Sequence, residues 1–295
     1  MVLTIRDAID RAVERLRDAG VDSPQRDAEE MAAFALGVGR HQLDDLVELA
    51  GASARFEALV EQRAQRVPLQ HLVGRVRFRS IELLVGPGVF VPQPETESVV
   101  AWAVDALARS RVSSPLVVDL CTGSGTIALA VANETPGARV HAVEKDPSAV
   151  EWTRRNAAAR AAAGDATVTV HLGDAADALP ELDGSVDMVL SNPPYVAAHE
   201  LDGVAPEVRD HDPLVALMAG HDGLDLVRIV ERSARRLLRP GGLLVIEHSD
   251  RQGATAPALL EAVGGWREIA DHTDADGLDR FVTARWSPST GGRRP

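Results

Sequence analysis

Along the first seventy residues apolar positions recur at helical spacing. Ile5, Ile9, Val13 and Leu16 form one stripe on an α-helix, and Gly20 stands where a C-cap belongs. Ser23-Pro24 reads as an N-cap followed by proline in the first helical turn, opening a second helix through Met31 and Phe34. Further helical patterns run through Leu43, Leu46 and Val47, then Phe56, Leu59 and Val60. Residues 1–71 are therefore expected to form a small helical bundle.

At about residue 72 the period changes. Val76 and Phe78, then Ile81, Leu83 and Val85, alternate with polar positions and predict a β-hairpin linker over 72–95. It ends in Gly86-Pro87-Gly88 and the stiff stretch Phe90-Val91-Pro92-Gln93-Pro94, which is either a wall of a site or only a connector. From about residue 115 strand and helix alternate. Strands are predicted at 115–121, 138–144, 166–172, 186–191 and 242–248, with a last one from Arg280 to Trp286. Helical patterns lie between them, including one from Leu224 to Leu238 that stops at Arg239-Pro240-Gly241-Gly242. Such alternation predicts an α/β fold, a mostly parallel sheet with helices on both faces. The tail 287–295 has no core-forming residues and is expected to be disordered.

Composition narrows the class. The chain has 295 residues, about twice a ~150-residue domain, with 45% hydrophobic and 25% charged residues, which is globular. Ten aromatic residues (five Phe, four Trp, one Tyr) leave the core to Leu, Val, Ile and Ala. No apolar run approaches the ~18 residues of a membrane span, and the charged N-terminus predicts neither signal peptide nor anchor. One cysteine excludes a disulfide framework and a Cys-rich zinc site. A net charge of −13 argues against broad binding to nucleic-acid phosphates unless basic residues cluster locally. A cytoplasmic protein with no membrane partner is expected.

Two motifs carry chemistry. Asp119-Leu120-Cys121-Thr122-Gly123-Ser124-Gly125-Thr126 directly follows the first strand of the alternating region. Glycines there allow a sharp turn and close approach of a ligand. Glu144, about twenty residues on, ends the next strand, where an acid accepts hydrogen bonds from ribose hydroxyls in Rossmann-like sheets. This pair predicts a nucleoside site without separating NAD, FAD and S-adenosylmethionine.

The second motif, Ser191-Asn192-Pro193-Pro194-Tyr195, follows the fourth strand, so both open on one crevice. Its prolines lack N–H, the backbone presents carbonyl acceptors, and Asn192 adds an amide oxygen. Tyr195, the one tyrosine of the chain, adds a flat face. Such a site suits a planar –NH2 group: acceptors hold its hydrogens while its lone pair is aimed at an electrophilic methyl. No strong general base is required, which fits the absence of a poised His or Lys.

DLCTGSG, Glu144 and SNPPY together resemble class I S-adenosylmethionine-dependent methyltransferases that act on planar amino groups. With PLQHLVG, VPQPETE, PEVRDHDPLVAL, DGLDLVRIV and LLRPGGLLVIEH added, the chain resembles the release factor glutamine methyltransferases over residues 5 to 286. The resemblance implies a Rossmann-like methyltransferase domain over 96–286 with the N-terminal helices docking substrate. It implies that Asp119 and Cys121, Thr122, Gly123, Ser124 and Gly125 cradle the cofactor, that Glu144 holds its ribose, and that Asp174 and Ala175 lie near its adenine. Asn192, Pro193, Pro194 and Tyr195 would bind the acceptor amide, with Asn192, Pro193 and Tyr195 catalytic, Asn192 also facing the cofactor, and Phe90 near the methyl. The implied substrate is the Gly-Gly-Gln loop of bacterial class 1 release factors, methylated at glutamine N5 by a monomer that needs no metal and no direct nucleic-acid contact. The chain departs from the family at Gln93, where arginine is usual, at Ala219-Gly220-His221, where Gly-Gly precedes the aspartate of D-G-L, and at Ser249, usually glycine.

The alternative is adenine-N6 methylation of DNA or RNA, which needs the same acceptor geometry. The nine histidines show no metal-ligand spacing, and His211 between Asp210 and Asp212 reads as a solvated loop. Cys121 reads as a small buried residue rather than a nucleophile, and Arg232, Arg235, Arg236 and Arg239 as a solvated helix face.

Overall fold

The computed structural model describes residues 4–46, 48–49 and 51–288. Val47 and most of the tail expected at 287–295 lie outside the described residues; Ser287, at its start, donates its N–H to the Gly265 carbonyl at 2.8 Å.

The N-terminal helices are α1 (Ile5–Asp18), α2 (Pro24–Leu36), α3 (Ser53–Ala64) and the short α4 (Leu69–Val73). Thr4 and Asp7 cap α1 reciprocally, and its stripe Ile5, Ile9, Val13 and Leu16 is buried. Leu43 lies in a 3-10 turn, Arg40–Asp45, instead of an α-helix, and is the buried residue of that turn. A compact unit comprises the chain up to Arg75 together with Val85–Pro87 and Val204–His211. The last segment contains α8 (Pro206–His211), so His211 ends a helix rather than lying in a solvated loop. Glu207 on α8 is held from two sides inside that unit. It accepts from Arg63 at 2.9 Å and from both ends of the Arg66 guanidinium at 2.6 and 2.7 Å, while Arg63 also donates to Asp27 at 2.7 Å. A bidentate, shared arginine pair of this kind satisfies groups that burial would otherwise penalise.

The second unit holds Val76–Leu84, Gly88–Gly203 and the chain from Asp212 on. The hairpin β1 (Arg75–Phe78) and β2 (Ile81–Leu84) turns at Arg79, whose φ of 51° is left-handed. The Arg79 guanidinium grips the Glu134 carboxylate with two bonds, 2.5 and 2.6 Å, which offsets that backbone cost. After the hairpin come α5 (Thr96–Ser110), which the sequence pattern left unassigned, β3 (Leu116–Leu120), α6 (Thr126–Glu134), β4 (Arg139–Glu144), α7 (Pro147–Ala162), β5 (Val168–Leu172) and β6 (Val186–Ser191). Past α8 follow α9 (Asp225–Leu237), β7 (Leu238–Glu247), α10 (Thr255–Val263), β8 (Trp266–Thr273) and β9 (Asp279–Trp286).

The seven-stranded sheet has the order β5-β4-β3-β6-β7-β9-β8, and β9 runs opposite to the other six strands. Side chains alternate faces along each strand. On β3, Val117 joins one core with Phe78, Ile81, Leu83 and residues of α5 and α6, while Leu116, Val118 and Leu120 join the other with α9 and α10. Both faces are therefore covered, which is why the strands read as continuous apolar runs.

Two elements differ from expectation. β7 begins at Leu238, so Pro240-Gly241 is a bulge inside the strand rather than a gap before it. A Cβ on Gly242 would sit 3.0 Å from the Val186 carbonyl, which explains glycine at this close approach. β8 was not apparent in the sequence because it is a largely exposed edge strand bulged at Glu268, φ 52°.

Candidate active site

The sheet order reverses between β3 and β6: the chain leaves β3 toward β4 on one side and returns at β6 on the other. Leu120 pairs with Ser191 in register, and the Ser191 hydroxyl donates to the Leu120 carbonyl at 2.7 Å. Cys121 and Asn192 therefore leave adjacent strand ends side by side. The two motifs singled out in the sequence thus start at neighbouring strand ends.

At the first strand end the backbone takes three left-handed steps, Cys121 (φ 62°), Gly123 (58°) and Gly125 (86°). The turn is built from below. Asp119, 1% exposed, accepts from the Thr122 hydroxyl and from the Ala128 N–H at 3.1 Å. Burial pushes its carboxyl up to about 7, and Oδ1 has no hydrogen-bond partner. Thr153 donates to the Gly123 carbonyl at 2.6 Å, and the Asn156 amide donates to the Ser124 carbonyl at 2.9 Å. Buried Ser124 Oγ lies 2.8 Å from Thr126 Oγ1. A Cβ on Gly125 would meet Leu129 at 2.9 Å and Thr153 at 3.0 Å, whereas one on Gly123 would meet nothing within 4 Å. Gly125 is thus needed by the fold, and Gly123 leaves open space above the turn.

Glu144 stands beside that space. Its Oε2 accepts from the Gly123 N–H at 3.0 Å, and Oε1 from the Lys145 and Asp146 N–H groups at 2.8 and 2.9 Å. Of roughly four lone-pair sites on a carboxylate, one remains, on Oε2. Asp174, exposed, lies on the neighbouring strand end: the Gly173 N–H donates to the Glu144 carbonyl at 2.9 Å, and Lys145 pairs with Asp174 at 3.5 Å. Ala175 turns the other way. Its side chain packs in the core and its carbonyl accepts from Ser233, so only its backbone borders the strand ends. Burial raises the Cys121 thiol to about 12, leaving it protonated and inert as a nucleophile.

At the second strand end Asn192 is half-buried, and its Nδ2 donates to the Thr96 hydroxyl at 3.2 Å. Thr96 opens α5 and is buried; so is Glu247, at the end of β7. The Glu247 carboxyl lies beside both side chains, and burial pushes it up to about 8. Neither Thr96 nor Glu247 was assigned a role from sequence, though both lie in stretches, VPQPETE and LLVIEH, that carry the resemblance. A threonine and a lone acid at strand and helix ends have no spacing that marks them.

Pro193 is buried, and Pro194 and Tyr195 are partly so. Burial, with the negative charge of Glu247 nearby, pushes the Tyr195 phenol upward, so it stays neutral. The Tyr195 carbonyl is pinned by Gln252 Nε2 at 3.4 Å, and a Cβ on Gly223 would strike it at 2.5 Å. Beyond the motif, Val196 exchanges backbone bonds with Leu217 and Ala219 at 2.8 and 2.9 Å. Phe90 is half-buried beside the buried Val89 and Val91. The Gln93 amide donates to the Val91 carbonyl at 2.9 Å, folding this stretch back on itself.

Among the described residues no group of three or more His, Cys, Asp or Glu is placed to hold a metal, and no helix is long and apolar enough to cross a membrane. The α9 arginines are mostly engaged: Arg235 with Glu231 at 2.9 Å, Arg236 with Asp183, and Arg239, just past the helix, with Asp187 at 2.6 Å.

The family model of the PrmC N-terminal domain matches residues 7–74, and that of the methyltransferase small domain matches residues 82–207. The release factor glutamine methyltransferase of Streptomyces coelicolor is 54% identical over 93% of this chain and 95% of its own length. The chain belongs to the release factor glutamine methyltransferase family. A 4-amino-L-phenylalanine/4-methylamino-L-phenylalanine methyltransferase of Streptomyces pristinaespiralis is 43% identical over 89% of each chain. Among solved structures, the T. thermophilus 16S rRNA N2 G1207 methyltransferase in complex with AdoMet and guanosine aligns with TM-score 0.51 at 22% identity, over 72% of this chain and 49% of that one, which shows the shared fold.

Membership puts the departures in a physical light. Of Ala219-Gly220-His221 only Gly220 has positive φ, 82°, and a Cβ there would overlap the Asp225 carboxylate, so the glycine that the backbone requires is retained. Ser249 also lacks positive φ and accepts alanine-sized bulk without strain.

Proposed function

We propose that this methyltransferase moves a methyl group from S-adenosylmethionine to the side-chain amide nitrogen of the glutamine in the Gly-Gly-Gln loop of bacterial class 1 release factors. One observation carries the reading: Asn192 and its proline carbonyls leave β6 beside the glycine turn of β3, tied to it by the Ser191–Leu120 bond. An acceptor nitrogen and a nucleoside-borne electrophile are thereby brought together by two neighbouring strand ends.

The residues present fit the cofactor. Gly123 leaves the space, the turn from Asp119 through Cys121, Thr122 and Ser124 to Gly125 shapes it, and Glu144 Oε2 offers a lone pair to a ribose hydroxyl. Asp174 and the Ala175 backbone flank the next strand end, where the adenine would lie. The cofactor supplies an electrophilic methyl on a sulfonium sulfur. Asn192 Oδ1 and the Pro193 carbonyl each accept one hydrogen of the glutamine –NH2, Pro194 keeps the loop rigid, and the Tyr195 ring and Phe90 pack against the planar amide and the methyl. The acceptor nitrogen, held by Asn192 and the Pro193 carbonyl, would take that methyl and release its own proton to water. No poised base is needed, which agrees with a neutral Tyr195 and a protonated Cys121.

The protein acts in the cytoplasm, as a monomer, without direct nucleic-acid contact. The relative from S. pristinaespiralis is named for an aryl amine, another planar –NH2, so the same acceptor geometry extends to a small molecule. The test offers labelled S-adenosylmethionine with a purified class 1 release factor, its loop Gln→Ala variant, 4-amino-L-phenylalanine and single- and double-stranded DNA. Label on the unaltered factor alone, mapped to glutamine by peptide mass spectrometry, is expected. Label on DNA or the free amino acid instead would replace the substrate. With the factor as acceptor, Asn192→Ala should lower kcat at least tenfold, and unchanged kcat would remove Asn192 from the acceptor site.

A further inference from the structure

An asparagine that is to receive a donor must show its oxygen, not its –NH2, to the ligand, and the two ends of a free amide are nearly the same shape. Asn192 has its choice made for it. Its Nδ2 donates to Thr96 Oγ1 at 3.2 Å, and the buried Glu247 carboxyl lies beside both side chains, an acceptor for the Thr96 hydroxyl hydrogen. Threonine has one hydroxyl hydrogen. With that hydrogen on Glu247, Thr96 can only accept from Asn192. Glu247, 1% exposed, therefore sets a carboxyl acceptor beside the pair. A flipped amide would set its oxygen against these acceptors, and in a buried site that mismatch is costly.

We infer that Thr96, at the start of α5, is a positioning residue that holds the Asn192 amide with its oxygen toward the acceptor, with the buried Glu247 carboxyl at the end of β7 beside the pair. The inference rests on reading Asn192 as the residue that receives the acceptor N–H. The VPQPETE stretch thereby does more than stiffen the chain with prolines, since it delivers the threonine that fixes the orientation of the second motif. The charged groups around the lock are Glu95, Arg280 and Asp250, with the Tyr195 phenol among them. Arg280 is tied to Asp274 at 3.0 Å, and its charge still acts on Glu247 against the effect of burial.

Thr96→Val keeps shape and β-branching but removes the acceptor; Thr96→Ser restores it. With the full-length protein and a purified release factor, Thr96→Val is expected to lower kcat about tenfold while S-adenosylhomocysteine affinity changes less than twofold, and Thr96→Ser to recover most of the loss. Wild-type kcat in Thr96→Val, or a loss that serine does not recover, would overturn the inference. A second readout needs no turnover. The 15N side-chain amide signal of Asn192, assigned by its disappearance in Asn192→Ala, should exchange slowly with solvent in the wild type and faster in Thr96→Val. Equal exchange in both would also overturn it. Should the wild type methylate no release factor, the reading of the substrate falls, and the amide signal still decides whether Thr96 holds Asn192.

Discussion

Single residues at the first strand end divide into those the fold needs and those a ligand needs. Gly123 and Gly125 look alike in sequence, and both have positive φ. Only Gly125 is crowded by its own protein, with Leu129 and Thr153 at about van der Waals overlap. Alanine at either position costs about 1–2 kcal/mol for the left-handed backbone. Gly123→Ala should therefore weaken cofactor binding tenfold or more with only a modest fall in melting temperature, while Gly125→Ala should lower both. Calorimetric titration with S-adenosylhomocysteine and thermal melts check this, and an unchanged affinity in Gly123→Ala would place the ligand elsewhere. The motif residues were legible because turn chemistry and acceptor chemistry are local. Thr96 and Glu247 were not, because their meaning comes only from partners 96 and 55 positions away in the chain.

Elements meet through a few buried side chains. Asn156 on α7, 1% exposed, accepts from the Leu84 N–H at 2.7 Å and donates to the Leu84 and Ser124 carbonyls at 3.0 and 2.9 Å. One amide thus joins the hairpin end, the glycine turn and a helix. Removing it leaves the buried Ser124 carbonyl unpaired, at about 1–3 kcal/mol, and the half-buried Leu84 N–H and carbonyl to be satisfied in part by water. Asn156→Ala should destabilise the protein by roughly 2–4 kcal/mol in urea unfolding and weaken cofactor binding with it. A loss below about 1 kcal/mol would mean that water replaces the amide. Strong periodicity made α1, α2 and the central strands readable. The edge strand β8 and the 3-10 turn at Arg40–Asp45 were not, since partial burial weakens the very alternation on which a sequence reading depends.

Over the whole molecule, three buried carboxyls are pushed up by burial: Asp119 and Asp212 to about 7 and Glu247 to about 8. Each binds a proton more tightly folded than unfolded. The stability it contributes is full below the ordinary carboxylate range and is lost as pH rises through its folded value. The partly buried histidines His141, His171 and His272 are shifted downward by burial and act in the opposite sense, but only below about pH 7. Unfolding free energy should therefore fall by roughly 2 kcal/mol between pH 7 and 9, and Glu247→Gln should remove the larger part of that slope. Urea midpoints measured across the range check it; a flat or rising profile would show the carboxyls ionised throughout. The sequence by itself determined the alternation of strand and helix, the apolar runs of a doubly covered sheet, and the two motifs at strand ends, because period, turn residues and hydrogen-bonding capacity are properties of neighbouring residues. Folding in three dimensions sets β3 and β6 side by side with Leu120 against Ser191, Glu207 with Arg63 and Arg66 of the helical unit, and Thr96 against Asn192. Those pairings follow from strand order and burial, which bring distant segments together without leaving a period in the chain.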